Sequence, residues 1–289
     1  MTLIKVLTVI LIVIAVLIIL YLLAIMPHMI GRADITPFLG RFYAHRGLFN
    51  NKSEAPENSM AAFRKAVEAG YGIEFDIHLS KDGEAVVMHD ANMKRACKVD
   101  DLITNYTVAE LKEKFRLFNS DEQIPTLREV LELVDGKVPL IIEFKGETTN
   151  VDLCEKTVDL LDAYKGVWCM ESFNPVMVRW YRTHRPNRMR GQLSMNYVKD
   201  EGVKHTVMDY AFQNLIFNFL TKPDFIAFDH NEMNMFTFSL IRKLYHPYTF
   251  AWTIKNQDEL ENAKKKFDFM IFDSFIPQGK PFEGKKHRA

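Results

Sequence analysis

Residues 72–90 of this 289-residue chain read GIEFDIHLSKDGEAVVMHD. In its first half, apolar residues from Ile73 to Leu79 alternate with Glu74, Asp76 and His78. This period of two residues predicts a β-strand, because successive side chains of a strand point to opposite faces. Two carboxylates on one face of a strand are the first candidate for a functional site.

The segment that follows predicts a β-hairpin. Asp82-Gly83 is a strong hairpin signal, and Ala85-Val86-Val87-Met88 returns as an antiparallel strand. A loop at Asp82-Gly83 would place Asp76 opposite His89, whereas a loop at Lys81-Asp82 would place Glu74 opposite His89. Either register gathers two carboxylates and an imidazole on one face, which is costly to bury without a metal or a proton-transfer role. A solvated polar face on an edge hairpin is the alternative.

The composition argues against two classes of protein. The chain has 37 basic and 37 acidic residues, so its formal net charge is zero. Because it also lacks a basic stripe interleaved with aromatic residues, no nucleic-acid partner is expected. Three cysteines without paired spacing argue against a disulfide framework.

The N-terminus predicts a membrane anchor. Val6 to Met26 contains no charged residue and would span about 30 Å as a helix, the thickness of a bilayer's hydrocarbon core. A cleaved signal peptide would have a shorter apolar region and a small-residue cleavage site. We therefore expect a single-pass protein of the cell membrane. Lys5 lies on one side of the span and Arg32 and Arg41 on the other, so the positive-inside rule leaves the side of the catalytic domain open.

The rest of the chain alternates strand and helix patterns. Eight βα units over about 250 residues predict an α/β fold, a TIM barrel, and a doubly wound open sheet is the alternative. The predicted parallel strands are Phe42–Ala44, Gly72–Leu79, Leu140–Phe144, Val167–Glu171, Arg190–Leu193, Phe225–Asp229, Thr249–Thr253 and Phe269–Phe272. The predicted organisation is an anchor at 1–30, a linker at 31–41, the barrel at 42–280 with an insertion at about 91–123, and a basic tail at 281–289.

Charged residues collect at the carboxyl ends of these strands, where barrel enzymes place their catalytic groups. Several carboxylates suit Ca²⁺ or Mg²⁺ better than zinc. Arginine and lysine beside them suit a phosphate, and two histidines can divide general acid and general base duties. The pattern favours metal-assisted phosphodiester chemistry. The residues concerned are His45, Arg46, Glu74, Asp76, His89, Glu143, Lys145 and Trp252.

An ordered set of motifs resembles the glycerophosphodiester phosphodiesterase family, from about residue 42 to residue 280. The motifs are His45-Arg46-Gly47, Pro56-Glu57-Asn58-Ser59, Glu74-x-Asp76, Lys81-Asp82-Gly83, His89-Asp90, Ile124-Pro125-Thr126-Leu127, Glu143-x-Lys145, Ser172-Phe173 and Ala251-Trp252-Thr253. One departure is Ile271-Phe272-Asp273, where Ile-Thr-Asp is more usual.

The resemblance implies a role for each of these residues. It implies that Glu74, Asp76 and Glu143 bind the divalent metal and that His45 and His89 form the acid/base pair. It further implies that Arg46 and Lys145 hold the phosphate, and Trp252 is placed with them as a substrate-binding residue.

Three functions are compatible with these observations. The first is hydrolysis of glycerophosphodiesters to glycerol 3-phosphate and an alcohol. The second is a lysophospholipase D-type or phospholipid-headgroup phosphodiesterase, which could also cyclise its substrate on a neighbouring hydroxyl. The third is a catalytically inactive, membrane-tethered binding protein, which is disfavoured because every charged position that the chemistry needs is filled. The sequence gives no indication of oligomeric state.

The stretch from Tyr210 to Leu220 is unusually apolar and predicts a helix with Gln213, Asn214 and Asn218 on one narrow polar face. One interpretation is an ordinary barrel helix buried against the strands. The other is an interfacial helix in the headgroup region beside the barrel mouth, which would favour a lipid-derived substrate.

Overall fold

The structure is a computed structural model, and it describes residues 3–146, 149–199 and 204–284. Eight parallel strands close into a barrel, because β1 (Tyr43–His45) pairs with both β2 (Gly72–Leu79) and β9 (Phe269–Phe272). The predicted TIM barrel is confirmed, and every predicted parallel strand is present to within one residue at each end. The other parallel strands are β4 (Leu140–Phe144), β5 (Trp168–Ser172), β6 (Arg190–Ser194), β7 (Phe225–Asp229) and β8 (Tyr248–Ile254).

Helices surround the barrel, and a long apolar helix, α1 (Leu3–Ile25), precedes it. The barrel helices are α2 (Met60–Glu68), α5 (Leu127–Val134), α6 (Asp152–Ala163), α7 (Pro175–His184), α8 (Val207–Gln213), α9 (Asn218–Thr221), α10 (Phe236–Tyr245) and α11 (Gln257–Ala263). The segment between β3 (Ala85–Val87) and α5 adds α3 (Lys94–Cys97) and α4 (Val108–Lys114), which pack around a small apolar core of their own. Short 3₁₀ turns occur at Thr36–Phe38, Ile103–Asn105 and His230–Glu232.

The hairpin between β2 and β3 has neither of the two predicted registers. Ile77 lies opposite Val87, and the amide of Ser80 donates to the carbonyl of Glu84 at 2.9 Å, so the loop has three residues, 81–83. The Ser80 hydroxyl accepts a hydrogen bond from the Glu84 amide and so stabilises this wider loop. Gly83 has a φ of 81°, as in the three-residue loops that end with a left-handed glycine. The prediction of a two-residue loop was therefore wrong.

Aromatic side chains fill the barrel interior below the strand carboxyl ends. The rings of Phe250 and Phe269 stack with centroids 4.3 Å apart, and Tyr43 packs edge-on against both. The opposite end of the barrel is closed by Ile35 and Phe38, which come from the segment between α1 and β1. The Tyr43 hydroxyl donates to the Phe38 carbonyl at 2.7 Å, so this segment is packed into the fold.

The apolar stretch from Tyr210 to Leu220 does not form the single helix that was predicted. The chain leaves helical geometry between α8 and α9, where Leu215 has a φ of 54°. Gln213 and Asn218 are buried and do not line a solvent face. The Asn218 side chain instead donates to the backbone carbonyl of Ile25 at 2.9 Å. The predicted polar face is wrong because one of its amides bonds to α1, which is far away in sequence.

The closure of the barrel by Phe38 predicts a large effect on stability. Replacing Phe38 with Ala removes a ring that is 3% exposed and should lower the free energy of unfolding by about 3–5 kcal/mol. Phe236→Ala is the matched control, because that ring is 73% exposed and its removal should cost less than about 0.5 kcal/mol. Denaturant unfolding in detergent measures both. Equal stability of the two variants would contradict the packing role of Phe38.

Candidate active site

The register of the parallel strands brings acidic residues to one end of the barrel. His45 pairs with Glu74, Asp76 with Glu143, and Glu143 with Glu171. Partners in a parallel sheet lie side by side, so residues from four adjacent strands meet near the carboxyl ends. This is the end at which TIM barrels carry their active sites.

A cavity of about 80 Å³ opens at this end of the barrel. Of the eight residues predicted for the site, seven line this cavity. The eighth, Asp76, is fully buried and lies beside Glu143 and Lys145. The lining residues are His45, Arg46, Glu74, His89, Glu143, Lys145, Glu171, Phe173, Leu193, Trp252, Thr253 and Ile271.

Three of the carboxylates form a candidate metal site. One oxygen atom of each of Glu74, Asp76 and Glu143 lies within 4.8 Å of the others. Burial, reinforced by the charge of Asp76, raises the pKa of Glu74 well above its usual range. Burial also raises the pKa of Glu143, to about 7. A divalent cation would relieve this repulsion, and Ca²⁺ and Mg²⁺ prefer oxygen ligands, so the residues present fit such an ion.

Two positively charged side chains, Lys145 and Arg46, offset part of this negative charge. The Lys145 ammonium lies 2.9 Å from Asp76 Oδ1 and 2.7 Å from Glu143 Oε1, and Arg46 Nε lies 3.6 Å from Asp76 Oδ2. Burial acts to raise the pKa of Asp76, but Lys145 and Arg46 outweigh it and hold that pKa well below its usual range. Asp76 is therefore ionised at neutral pH.

Each histidine of the site is held by a carboxylate. His45 Nδ1 lies 2.9 Å from Asp273 Oδ2, and His89 Nδ1 lies 2.5 Å from Asp90 Oδ1. Burial lowers the pKa of both imidazoles, that of His89 to about 4. A carboxylate on Nδ1 orients the ring and directs Nε2 to other partners, an arrangement suited to proton transfer.

Glu57 and Asn58 form hydrogen bonds that fix the turn after β1. Glu57 accepts hydrogen bonds from Arg46 at 2.8 Å and from both terminal nitrogens of Arg95 at 2.7 and 3.0 Å. The side chain of Asn58 donates to Asp76 Oδ2 at 3.0 Å. Gly47 completes the turn, because its φ is +83° and a Cβ there would lie 2.9 Å from Ala62. This motif therefore positions Arg46 and Asp76.

Several charged residues that support or line the site were not among the predicted site residues. Asp273 and Asp90 hold the two histidines, and Arg95 of the insertion bonds to both Glu57 and Asp90. Glu171 adds a fourth buried carboxylate, and burial raises its pKa well above the usual range. The strand-end position of Glu171 and the adjacency of Asp90 to His89 were signals in the sequence. Nothing comparable pointed to Arg95.

Aromatic residues form one wall of the cavity and continue away from it. Trp252 packs edge-on against Phe173, with ring centroids 5.6 Å apart. Tyr197 follows at 6.3 Å from Phe173, and Phe212 at 5.9 Å from Tyr197. Trp252 Nε1 is buried and has no hydrogen-bond partner among the described residues.

Comparison with known proteins gives a consistent result. A model of the Glycerophosphoryl diester phosphodiesterase family matches residues 45–193, more than half of the chain. A glycerophosphodiester phosphodiesterase of Caldanaerobacter subterraneus is 35% identical over 160 residues, which are 52% of this chain and 65% of that protein. A rat lysophospholipase D is 32% identical over 157 residues, 50% of this chain and 48% of that protein. The chain thus spans just under two thirds of the first relative and about half of the second.

Solved structures support the fold. An Oleispira antarctica phosphodiesterase in complex with sn-glycerol-3-phosphate superposes with a TM-score of 0.65 at 23% identity, over 82% of this chain and 94% of that one. A Thermotoga maritima glycerophosphodiester phosphodiesterase gives a TM-score of 0.61 at 24% identity, over 81% of this chain and 95% of that one. At these identities the structural similarity establishes the barrel fold alone.

The hydrogen bonds of Glu57 predict a pH-dependent contribution to stability. Glu57→Ala removes the hydrogen bonds that Arg46 and Arg95 donate to this carboxylate and should lower the free energy of unfolding by about 3 kcal/mol at pH 7. Burial acts to raise the pKa of Glu57, but Arg95 and Arg46 hold it below the usual value. The contribution is therefore present above the unfolded-state pKa of about 4.3 and is lost as the pH falls through the folded-state value.

Denaturant unfolding between pH 3 and pH 7 measures this contribution. Glu54→Ala is the control, because the Glu54 side chain is exposed three residues away and should have little effect at any pH. A difference between wild type and Glu57→Ala that stays constant down to pH 3 would refute the ionic role of Glu57.

Proposed function

Because the chain belongs to the glycerophosphoryl diester phosphodiesterase family, we propose that it is a metal-dependent hydrolase of glycerophosphodiesters that releases glycerol 3-phosphate and an alcohol. The observation that carries this proposal is the cavity in which a cluster of three carboxylates adjoins two carboxylate-bound histidines. The third possibility, an inactive binding protein, is disfavoured because the predicted ligands and both histidines are present together.

We assign a divalent cation, Ca²⁺ or Mg²⁺, to Glu74, Asp76 and Glu143. When bound, such an ion supplies Lewis-acid stabilisation of charge on the phosphoryl oxygens. Arg46 and Lys145 add fixed positive charge on the same side of the cavity, which suits a phosphodiester anion. Trp252 lines the same cavity, and we assign it to substrate binding.

His45 and His89 are assigned the two proton transfers. One imidazole removes the proton from the attacking hydroxyl group, and the other donates a proton to the alcohol oxygen as the P–O bond breaks. Asp273 and Asp90 keep each ring in one orientation through Nδ1. The attacking hydroxyl belongs to water in direct hydrolysis, or to the neighbouring hydroxyl of the substrate in cyclisation.

A second candidate function is the cleavage of lysophospholipids. It is favoured by the similarity to a rat lysophospholipase D and by the aromatic side chains that continue from Trp252 to Phe212. These rings offer apolar surface beside a polar site, which a soluble glycerophosphodiester does not require.

We further propose that α1 is a single-pass anchor in the cell membrane. The helix is long and apolar enough to cross a bilayer. Its last residue, Ile25, is fully buried against the barrel, and the buried Asn218 side chain bonds to its carbonyl. Removal of α1 as a signal sequence would expose Ile25's apolar contact surface and leave Asn218 without this partner, which argues that the helix is retained.

A product assay tests the activity. Purified full-length protein with Ca²⁺ or Mg²⁺ should release glycerol 3-phosphate from glycerophosphocholine, and excess chelator should abolish the release. If lysophosphatidylcholine is the better substrate, the products should be choline and lysophosphatidic acid. His89→Ala should reduce turnover by roughly 10²–10⁴-fold. Absence of phosphodiester cleavage with both substrates and both metals would refute the proposal.

Metal binding can be tested without activity. Saturating Ca²⁺ or Mg²⁺, at about 100 times the dissociation constant, should stabilise the wild type by about 2.7 kcal/mol and raise its thermal midpoint. Glu74→Gln removes one anionic ligand and should lose most of this increase. Glu113→Gln, an exposed substitution in α4, should retain it. A full increase in the Glu74→Gln protein would exclude Glu74 as a ligand.

A further inference from the structure

The end of α1 is bound to the side of the barrel by buried and partly buried polar contacts. The Tyr21 hydroxyl lies 2.6 Å from Thr237 Oγ1, and the Ile25 carbonyl accepts from Asn218. Farther along, the backbone of Met26 accepts from Lys222 at 3.0 Å, and His28 Nδ1 lies 2.7 Å from Asp224 Oδ1. The anchor therefore continues directly into the folded domain.

The order of these contacts gives the direction of α1. Thr237 lies in the first turn of α10, and the helices of a TIM barrel begin at the face that carries the strand carboxyl ends. Asp224 directly precedes β7 and therefore lies at the opposite face. As the chain proceeds from Tyr21 to His28 it descends from the mouth toward the closed end. Residues before Tyr21 must then project beyond the mouth face.

The length of the projecting part matches a bilayer. Apart from Val6 and Tyr21, whose side chains are half-buried, the described residues of α1 before Leu22 are exposed. The 18 residues from Leu3 to Leu20 span about 27 Å at 1.5 Å per residue, close to the roughly 30 Å of a hydrocarbon core. The membrane boundary thus falls near Tyr21, an aromatic residue of the type enriched at that level. Tyr21 is also the residue that contacts the mouth end of α10.

Exposed apolar side chains lie where the boundary is expected. Val207, Met208 and Tyr210 of α8 and Phe236 of α10 are 84%, 47%, 51% and 73% exposed. We call these four residues the mouth-side patch. Thr237 Oγ1 donates to Asn214, the C-cap of α8, at 2.6 Å, and also contacts Tyr21, so the patch adjoins the point at which the anchor leaves the domain.

We propose that the barrel mouth faces the bilayer that α1 spans, with the mouth-side patch in the lipid headgroup region. The proposal rests on the assignment of α1 as an anchor, and not on the catalytic activity. The proposed partner of the mouth-side patch is the lipid surface, because the membrane boundary on α1 falls near Tyr21, at the level of the patch. A phosphodiester carried by a lipid would then reach the cavity while its acyl chain stays in the membrane.

Site-directed fluorescence measures this orientation. In a Cys97→Ser background, which removes the half-buried cysteine, single cysteines are introduced at Val207, Phe236, Ile30 and Leu11 and labelled with an environment-sensitive fluorophore. Each full-length protein is reconstituted into phosphatidylcholine vesicles with or without acyl-brominated phosphatidylcholine. Ile30 is the matched control for Val207, because it is equally apolar, 89% exposed and located near the closed end.

The expected result is strong bromolipid quenching at Leu11, intermediate quenching at Val207 and Phe236, and little at Ile30. Quenching at Leu11 with none at Val207 and Phe236, or with as much at Ile30 as at Val207, would overturn the orientation and leave the anchor in place. Absence of quenching at Leu11 would overturn the anchor and this proposal together. None of these readings depends on turnover, so a failure of the proposed activity is recognised separately.

Discussion

The structure depends on the burial of four carboxylates at one end of a closed barrel. Glu74, Asp76, Glu143 and Glu171 come from three adjacent strands, and each is less than a tenth exposed. Charges of one sign are costly to bury together, and pairing reduces the cost only where the geometry is good. The Lys145 ammonium forms ion pairs with Asp76 and Glu143, and the Arg46 guanidinium lies beside the other oxygen of Asp76. The negative charge that is left uncompensated is the physical reason to assign a cation to this cavity.

The rest of the barrel keeps these groups from moving apart. Closely packed aromatic rings fill the interior below the site, so the strands cannot collapse inward. Above it, Glu57 ties Arg46 to Arg95 of the insertion, and Arg95 in turn bonds to Asp90, which holds His89. The insertion thus belongs to the charge network of the site. One continuous chain of ion pairs and hydrogen bonds joins the residues proposed to bind the metal to a proposed proton-transfer residue.

Much of this arrangement could be predicted because short apolar runs mark strands that are buried on both faces, and charged residues at their ends are conspicuous. The hairpin register could not, because it depends on hydrogen bonds of the Ser80 hydroxyl that no pattern reveals. The role of Asp273 also required the fold, since it lies 228 residues from His45. The stretch after Tyr210 was misinterpreted for the same reason. Asn218 is polar because it bonds to Ile25, 193 residues earlier, and not because it faces water.

The contact between Asn218 and Ile25 also limits how far the domain can turn relative to α1. An apolar helix followed by a flexible linker of 11 residues would leave the domain free to turn, since such a linker spans about 18 Å on average and directs no particular face to the membrane. Here residues 21–28 are bonded to α9, α10 and the start of β7, and the following segment closes the barrel. Each buried polar group left unpaired would cost about 1–3 kcal/mol, so detaching α1 breaks several such contacts at once. With α1 as the anchor that we propose, the packing of the fold would set the orientation of the domain at the membrane and hold the cavity at a fixed distance from the lipid surface.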